Sequence, residues 1–137
     1  MSLNLKVYDN GDHTCLVWLP ADEKSIPNCR GFAIKGTSKS EITYLHGAVG
    51  FSDDDKCDPA NPCSFPVQRY LWWDHSVKPG DTVQYSVIPV VGPNQAKLIL
   101  DAKNASPITP PMTITGQSTP HLSAYFNKGI VLLCYKT

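Results

Sequence analysis

The chain has 137 residues, 42% of them hydrophobic, and its 12 basic side chains match its 12 acidic ones for a formal net charge of zero. That length suits one ordinary domain, and the balanced charge removes the broad positive field on which nonspecific nucleic-acid or anionic-membrane binding depends. No apolar run approaches the roughly 20 residues of a bilayer-spanning helix, and the first residues lack the basic-then-apolar order of a secretory signal, so no membrane span and a cytoplasmic location are expected.

Short apolar runs punctuated by 12 prolines and 9 glycines favour strands over helices. Leu3, Leu5 and Val7 alternate with Asn4 and Lys6, and Asp9-Asn10-Gly11-Asp12 supplies turn chemistry, which predicts a first strand and a hairpin. In the next segment Thr14, Leu16 and Trp18 share one face while Cys15, Val17 and Leu19 share the other, with Pro20 as its end. A third strand runs from Cys29 to Lys35, stopped by Gly36, and a fourth covers 41–46 with Ile42 and Tyr44 on one face. Residues 67–74 read as an aromatic strand. After the turn Lys78-Pro79-Gly80-Asp81, Val83, Tyr85 and Val87 line one face of a strand that bends at Pro89; further strands over 97–100 and 112–115 bring the count to seven or eight. No window carries a 3.6-residue apolar period. The pattern predicts an all-β antiparallel sandwich over residues 1–116, with a core of Trp18, Phe32, Ile34, Tyr44, Val83, Tyr85 and Val87 and a separate tail or junction segment over 117–137.

Residues 47–66 lose periodicity and form a long loop, a place where function often resides. Its carboxylates Asp53, Asp54, Asp55 and Asp58 repel one another unless a cation or solvent neutralises them, so a calcium site stands against a solvated acidic loop. An EF-hand is excluded, because counting from Asp53 puts Asp58 at the sixth position and Ser64 at the twelfth, where glycine and glutamate are needed. Cys57 and Cys63 read as free thiols, a loop disulfide or half a metal site, without the Cys-x-x-Cys or histidine pair of a zinc centre. Cys15, Cys29 and Cys134 lie in apolar strands as small hydrophobes.

Trp72 and Trp73 point to opposite faces of an extended segment, so one is expected outside. With Asp53, Asp54 and Asp55 that tryptophan makes a candidate binding site for a carbohydrate or peptide, against the simpler expectation that the loop or a neighbouring domain covers it. No Ser-His-Asp order, phosphate loop or nucleophile elbow can be assembled, and no cofactor or metal is expected.

Leu16-x-Trp18-x-Pro20, Gly31-Phe32-x-Ile34, Val77-x-Pro79-Gly80 and Ser106-x-x-x-Pro110 before Thr113-x-Thr115 follow one another as in a fibronectin type III domain, which residues 3–116 resemble. The resemblance implies an immunoglobulin-like sandwich of about seven strands. It also implies a corner tyrosine where Val83 stands, leaving Tyr85, two residues later on the same face, as the substitute. The segment Ser123-Ala124-Tyr125-Phe126-Asn127-Lys128-Gly129-Ile130-Val131 is similar to the junction of bacterial phospholipase D-like proteins, and Gln68-Arg69-Tyr70-Leu71-Trp72-Trp73-Asp74 and Gly80-Asp81-Thr82-Val83-Gln84-Tyr85 are similar to their N-terminal segment. That family's signature is His-x-Lys with an aspartate four residues on. Here the residues two beyond His13, His46, His75 and His121 are Cys15, Ala48, Val77 and Ser123, so none is lysine.

The resemblance therefore implies a noncatalytic accessory domain with a protein partner, either a phospholipase D-like catalytic part or a second copy of the chain. The alternatives are a ligand-binding sandwich and a fragment of a phosphodiesterase. An enzyme built on this chain alone would need Cys63, His46 or His75 as nucleophile and base. In the tail, Tyr125, Phe126, Ile130, Val131, Leu132 and Leu133 form the expected interaction surface, since 130–135 is an uncharged run of high β-propensity that must pack against something.

Overall fold

Alternation in the first hairpin decides which way its side chains face. Strand β1 (Leu3–Asp9) pairs with β2 (Thr14–Pro20) so that Leu5 lies opposite Trp18 and Val7 opposite Leu16, which places the apolar sets of both strands on one face. The computed structural model describes residues 3–9, 13–21, 26–47, 50–52, 55–58, 60–94 and 96–114. Among these residues six further strands follow: β3 (Cys29–Ser38), β4 (Glu41–Leu45), β5 (Leu71–Asp74), β6 (Thr82–Val91), β7 (Ile99–Leu100) and β8 (Met112–Thr113). They form two antiparallel sheets, β1-β2-β5 and β4-β3-β6-β7, with β8 also paired to β6. The chain is an all-β sandwich.

The two sheets meet over Leu3, Leu16 and Trp18 on one side and Phe32, Ile34 and Val87 on the other, all at most 5% exposed. Trp18 and Phe32 cross between the sheets edge to face at 5.5 Å, a geometry that adds about 0.5–1.5 kcal/mol beyond area burial. Tyr44 departs from the expected core. It is half-buried and Ile42 is 55% exposed, because β4 is an edge strand whose partners Lys35–Ser38 on β3 are themselves only half-buried.

Gly36 does not stop β3, which continues to Ser38; it sits in the ladder between Thr43 and Tyr85. Pro89 does not end or break β6 either. It lies opposite Phe32, whose N–H and C=O both go to Val67, so the pair is a non-hydrogen-bonded one and the missing proline N–H leaves no gap in the β3–β6 ladder. The stretch 67–74 is not one strand. Val67 bridges to β3 in the second sheet, the Tyr70 carbonyl accepts from Trp18 N–H in the first, and only Leu71–Asp74 forms β5, so the chain changes sheets here and closes one corner of the sandwich.

At that same corner β3 begins with a bulge. Cys29 pairs with Val91 but Gly31 with Val90, leaving Arg30 as the extra residue. Gly31 holds the bulge at φ +155°, where a Cβ would sit 2.8 Å from Pro66 Cβ and 3.0 Å from the Val67 carbonyl oxygen.

Candidate functional site

The expected aromatic platform is not where the sequence places it. Trp72 lies opposite Leu16 and packs against the core, and Trp73, opposite Cys15 on the outer face, is only 5% exposed with the His75 ring stacked on it at 6.4 Å. Neither tryptophan is left outside, because the core takes one and the outer cluster of Cys15 and His75 takes the other. The exposed aromatic of this stretch is Tyr70, 46% exposed, whose ring leans on Phe32 at 5.4 Å.

Asp55 has a local job. Its Oδ2 accepts from the N–H groups of Phe51 and Ser52 at 2.8 and 3.0 Å, and its Oδ1 accepts from the Ser52 hydroxyl. The Ser52 and Phe51 amides hold its pKa below the ordinary 3.8. Carboxylate oxygens engaged by the loop's own donors make a turn, and no group of three potential metal ligands occurs among the described residues. Asp53 and Asp54 lie outside the described residues, as do Tyr125, Phe126, Ile130, Val131, Leu132 and Leu133 of the tail. Asp55→Ala should speed amide hydrogen exchange at Phe51 and Ser52 while leaving β-strand amides unchanged. Acidification below pH 3.8 should do the same, since a carboxylate with a lowered pKa stabilises its turn above that pH and loses the effect as it protonates. Unchanged exchange at Phe51 and Ser52 would contradict the assignment.

The residues named for a possible enzyme are separately occupied. His46 Nδ1 lies 2.6 Å from the Ser64 carbonyl oxygen, and His75 stacks on Trp73 and meets His13 edge to face at 4.4 Å. Burial pushes the Cys63 thiol up from its ordinary pKa, the reverse of what an activated thiolate requires. Cys57 is an exposed free thiol and Cys29 a half-buried one, and Cys15 is buried.

A buried polar network instead ties the sheets together. The Tyr85 hydroxyl donates to Asp74 Oδ2 at 2.6 Å and lies 2.7 Å from Thr14 Oγ1, while Asp74 Oδ1 accepts from the Ser76 N–H and hydroxyl. Tyr85 comes from β6 and Thr14 and Asp74 from β2 and β5, so the phenol spans the core. Burial, and then the Asp74 hydrogen bond, push its pKa far above the ordinary value. Tyr85, which the sequence offered in place of Val83, thus has a side-chain carboxylate as its partner.

The feature with recognition chemistry lies at the opposite end of β2, at the Arg30 bulge. Arg30 Nε donates to the Gly92 carbonyl at 3.3 Å and Nη2 to the Pro93 carbonyl at 3.0 Å, which leaves three of its five N–H bonds outside these contacts. Two open hollows meet at this clamp. One, of about 230 Å³, is floored by Ile26 and Phe32 and walled by Arg30, Arg69 and Tyr70. The other, of about 320 Å³, lies between Pro27, Pro93, Lys97 and Ile99, with Ile99 65% exposed. Among the described residues the charged ones lining the pair are Arg30, Arg69 and Lys97. Sequence reasoning missed this site because a bulge is not visible in a period-two pattern. The one signal was glycine inside a strand, at Gly31.

Among the described residues no helix is long and apolar enough to cross a membrane. No protein-family model and no curated protein matches the chain.

Proposed function

We propose that this chain is a recognition module, a fibronectin type III-like sandwich that binds a protein partner through the end of the molecule carrying Arg30, Tyr70 and Ile99. The observation that carries the reading is the pairing of exposed Tyr70 and Ile99 with a bulge-presented arginine across two adjoining hollows. Aromatic and arginine side chains dominate the binding energy of protein interfaces, and apolar groups left in water at a concave surface gain by being covered. The fibronectin type III identity is supported by strand order. Here β4 pairs with β3 in the second sheet, whereas the constant immunoglobulin arrangement places the fourth strand in the first.

An accessory role beside a phospholipase D-like catalytic part is the form of this reading that the sequence resemblance favours, with the uncharged run 130–135 as a second contact. The full chain should show no turnover of bis-p-nitrophenyl phosphate, and measurable hydrolysis that tracks a variant of Cys63, His46 or His75 would replace recognition by catalysis. Removing residues 117–137 should change the number of chains per particle measured by light scattering or lower the stability, and an unchanged number together with unchanged stability would remove the tail from the interaction surface.

A further inference from the structure

We propose that His13 and His75 form a two-imidazole site for a divalent transition-metal ion, at the end of the first sheet remote from Arg30 and apart from the recognition surface. The β2–β5 register pairs Thr14 with Asp74 and Cys15 with Trp73, and one step further along it His13 faces His75. Both rings belong to the outer face, since Thr14 and Asp74 beside them point into the core at 0% and 5% exposure. Directly opposed side chains start about 4.5–5.5 Å apart at Cβ, a span that two imidazoles on one ion can bridge.

The ring separation narrows the class of metal. The two imidazole centres are 4.4 Å apart. At a metal–nitrogen length of about 2.0–2.1 Å, imidazoles at right angles on one ion put their centres roughly 4.5 Å apart, and at the tetrahedral angle roughly 5.2 Å. The pair therefore fits adjacent positions of a square-planar or octahedral ion such as Cu²⁺ or Ni²⁺, and must open to hold tetrahedral zinc. The rings cross at 77°, edge to face, and the broad terminal torsion of the exposed His75 lets its ring turn a nitrogen to the ion. No group of three potential ligands occurs among the described residues, so the ion keeps positions for water.

The core beneath fixes the spacing of the two strands. The Tyr85 hydroxyl lies 2.7 Å from Thr14 Oγ1 and 2.6 Å from Asp74 Oδ2, which ties together the two residues next to the histidines. Trp73, itself 5% exposed, lies nearly parallel to the His75 ring at 6.4 Å and 16° and supports it along β5. Ligands carried on paired strands are better fixed than ligands on a loop.

The test is calorimetric titration of the untagged, chelator-washed full chain with NiCl₂, followed by amide NMR. Ni²⁺ is the probe because Cu²⁺ is reduced by thiols such as exposed Cys57. One Ni²⁺ per chain is expected, with amide signals of residues 13–15 and 73–75 broadened. Because the second imidazole binds intramolecularly, His13→Ala and His75→Ala should each weaken binding about tenfold or more. His46→Ala and Cys57→Ser should leave it unchanged, and excess Mg²⁺, which prefers oxygen ligands, should not compete. His75 is exposed, so its variant should keep the fold, checked by unshifted amides in β3 and β6. Weakening by only one of the two histidine variants would mean a single surface imidazole and overturn the chelate. Loss with His46→Ala or Cys57→Ser, or competition by Mg²⁺, would place the ion elsewhere, and the absence of Ni²⁺ binding would overturn the site outright.

Discussion

Replacing Tyr85 by phenylalanine should lower the free energy of unfolding by about 1.5–3 kcal/mol, the range for a buried hydrogen bond to a charged group. The ring stays and its packing with it. What is lost is the single hydroxyl that joins Asp74 on β5 to Thr14 on β2, and Asp74, only 5% exposed, keeps no donor but Ser76 for the lost one. The effect also carries a pH signature. Burial and the Asp74 hydrogen bond raise the native phenol's pKa above the unfolded value of 10.0, so above pH 10 the folded chain keeps a proton that the unfolded chain releases. The contribution is therefore complete below pH 10 and declines above it by about 1.4 kcal/mol per pH unit. In urea unfolding, the gap between the wild type and Tyr85→Phe should be full at pH 8 and narrower at pH 11. A gap that is absent at pH 8, or that stays constant to pH 11, would mean that the hydroxyl does not bridge the sheets.

Gly31→Ala should be at least as damaging, at about 2–5 kcal/mol. Two costs combine: a side chain at φ +155° is strained by about 1–3 kcal/mol, and the new methyl group meets Pro66 Cβ at 2.8 Å and the Val67 carbonyl oxygen at 3.0 Å. Pro66 and Val67 belong to the chain that is changing sheets, so relief requires moving the corner itself. The same movement would shift Arg30, and with it both hollows. Gly80→Ala is the control, because a methyl group there meets nothing within 4 Å although φ is also positive, at +94°. Gly31→Ala within about 0.5 kcal/mol of the control would show that the bulge is not pinned by this contact.

Period-two burial was legible wherever both faces of a strand meet a uniform environment. Trp18, Phe32, Ile34, Val83, Tyr85 and Val87 are all in the core for that reason. Tyr44 broke the rule because alternation tells which side chains share a face and not whether anything covers it; an edge strand looks the same in sequence as a central one. Trp72 and Trp73 broke a neighbouring rule. Opposite faces were read correctly, but the outer face of the first sheet carries its own apolar layer of Cys15 and Trp73 under His75, set by pairing with β2 rather than by anything local.

Gly36 reads as a stop and Pro89 as a bend, and both are strand residues. Each is tolerated by its register: Gly36 lies between Thr43 and Tyr85, and Pro89 takes a place where no N–H is required. The Arg30 site was illegible for a related reason. It is assembled from the start of β3, the 68–70 crossing and residues 92, 93, 97 and 99, segments that the pairing of β3 with β6 and the bridge from Phe32 to Val67 bring together.

The most direct check of the recognition reading follows backbone amide shifts by NMR while the full chain is titrated with a pool of capped hexapeptides rich in apolar and aromatic residues. The account predicts perturbations concentrated at residues 28–31, 69–70 and 92–99. Shifts centred instead on His13, Trp73 and His75 at the far end of the first sheet, or on the 50–64 loop, would contradict it.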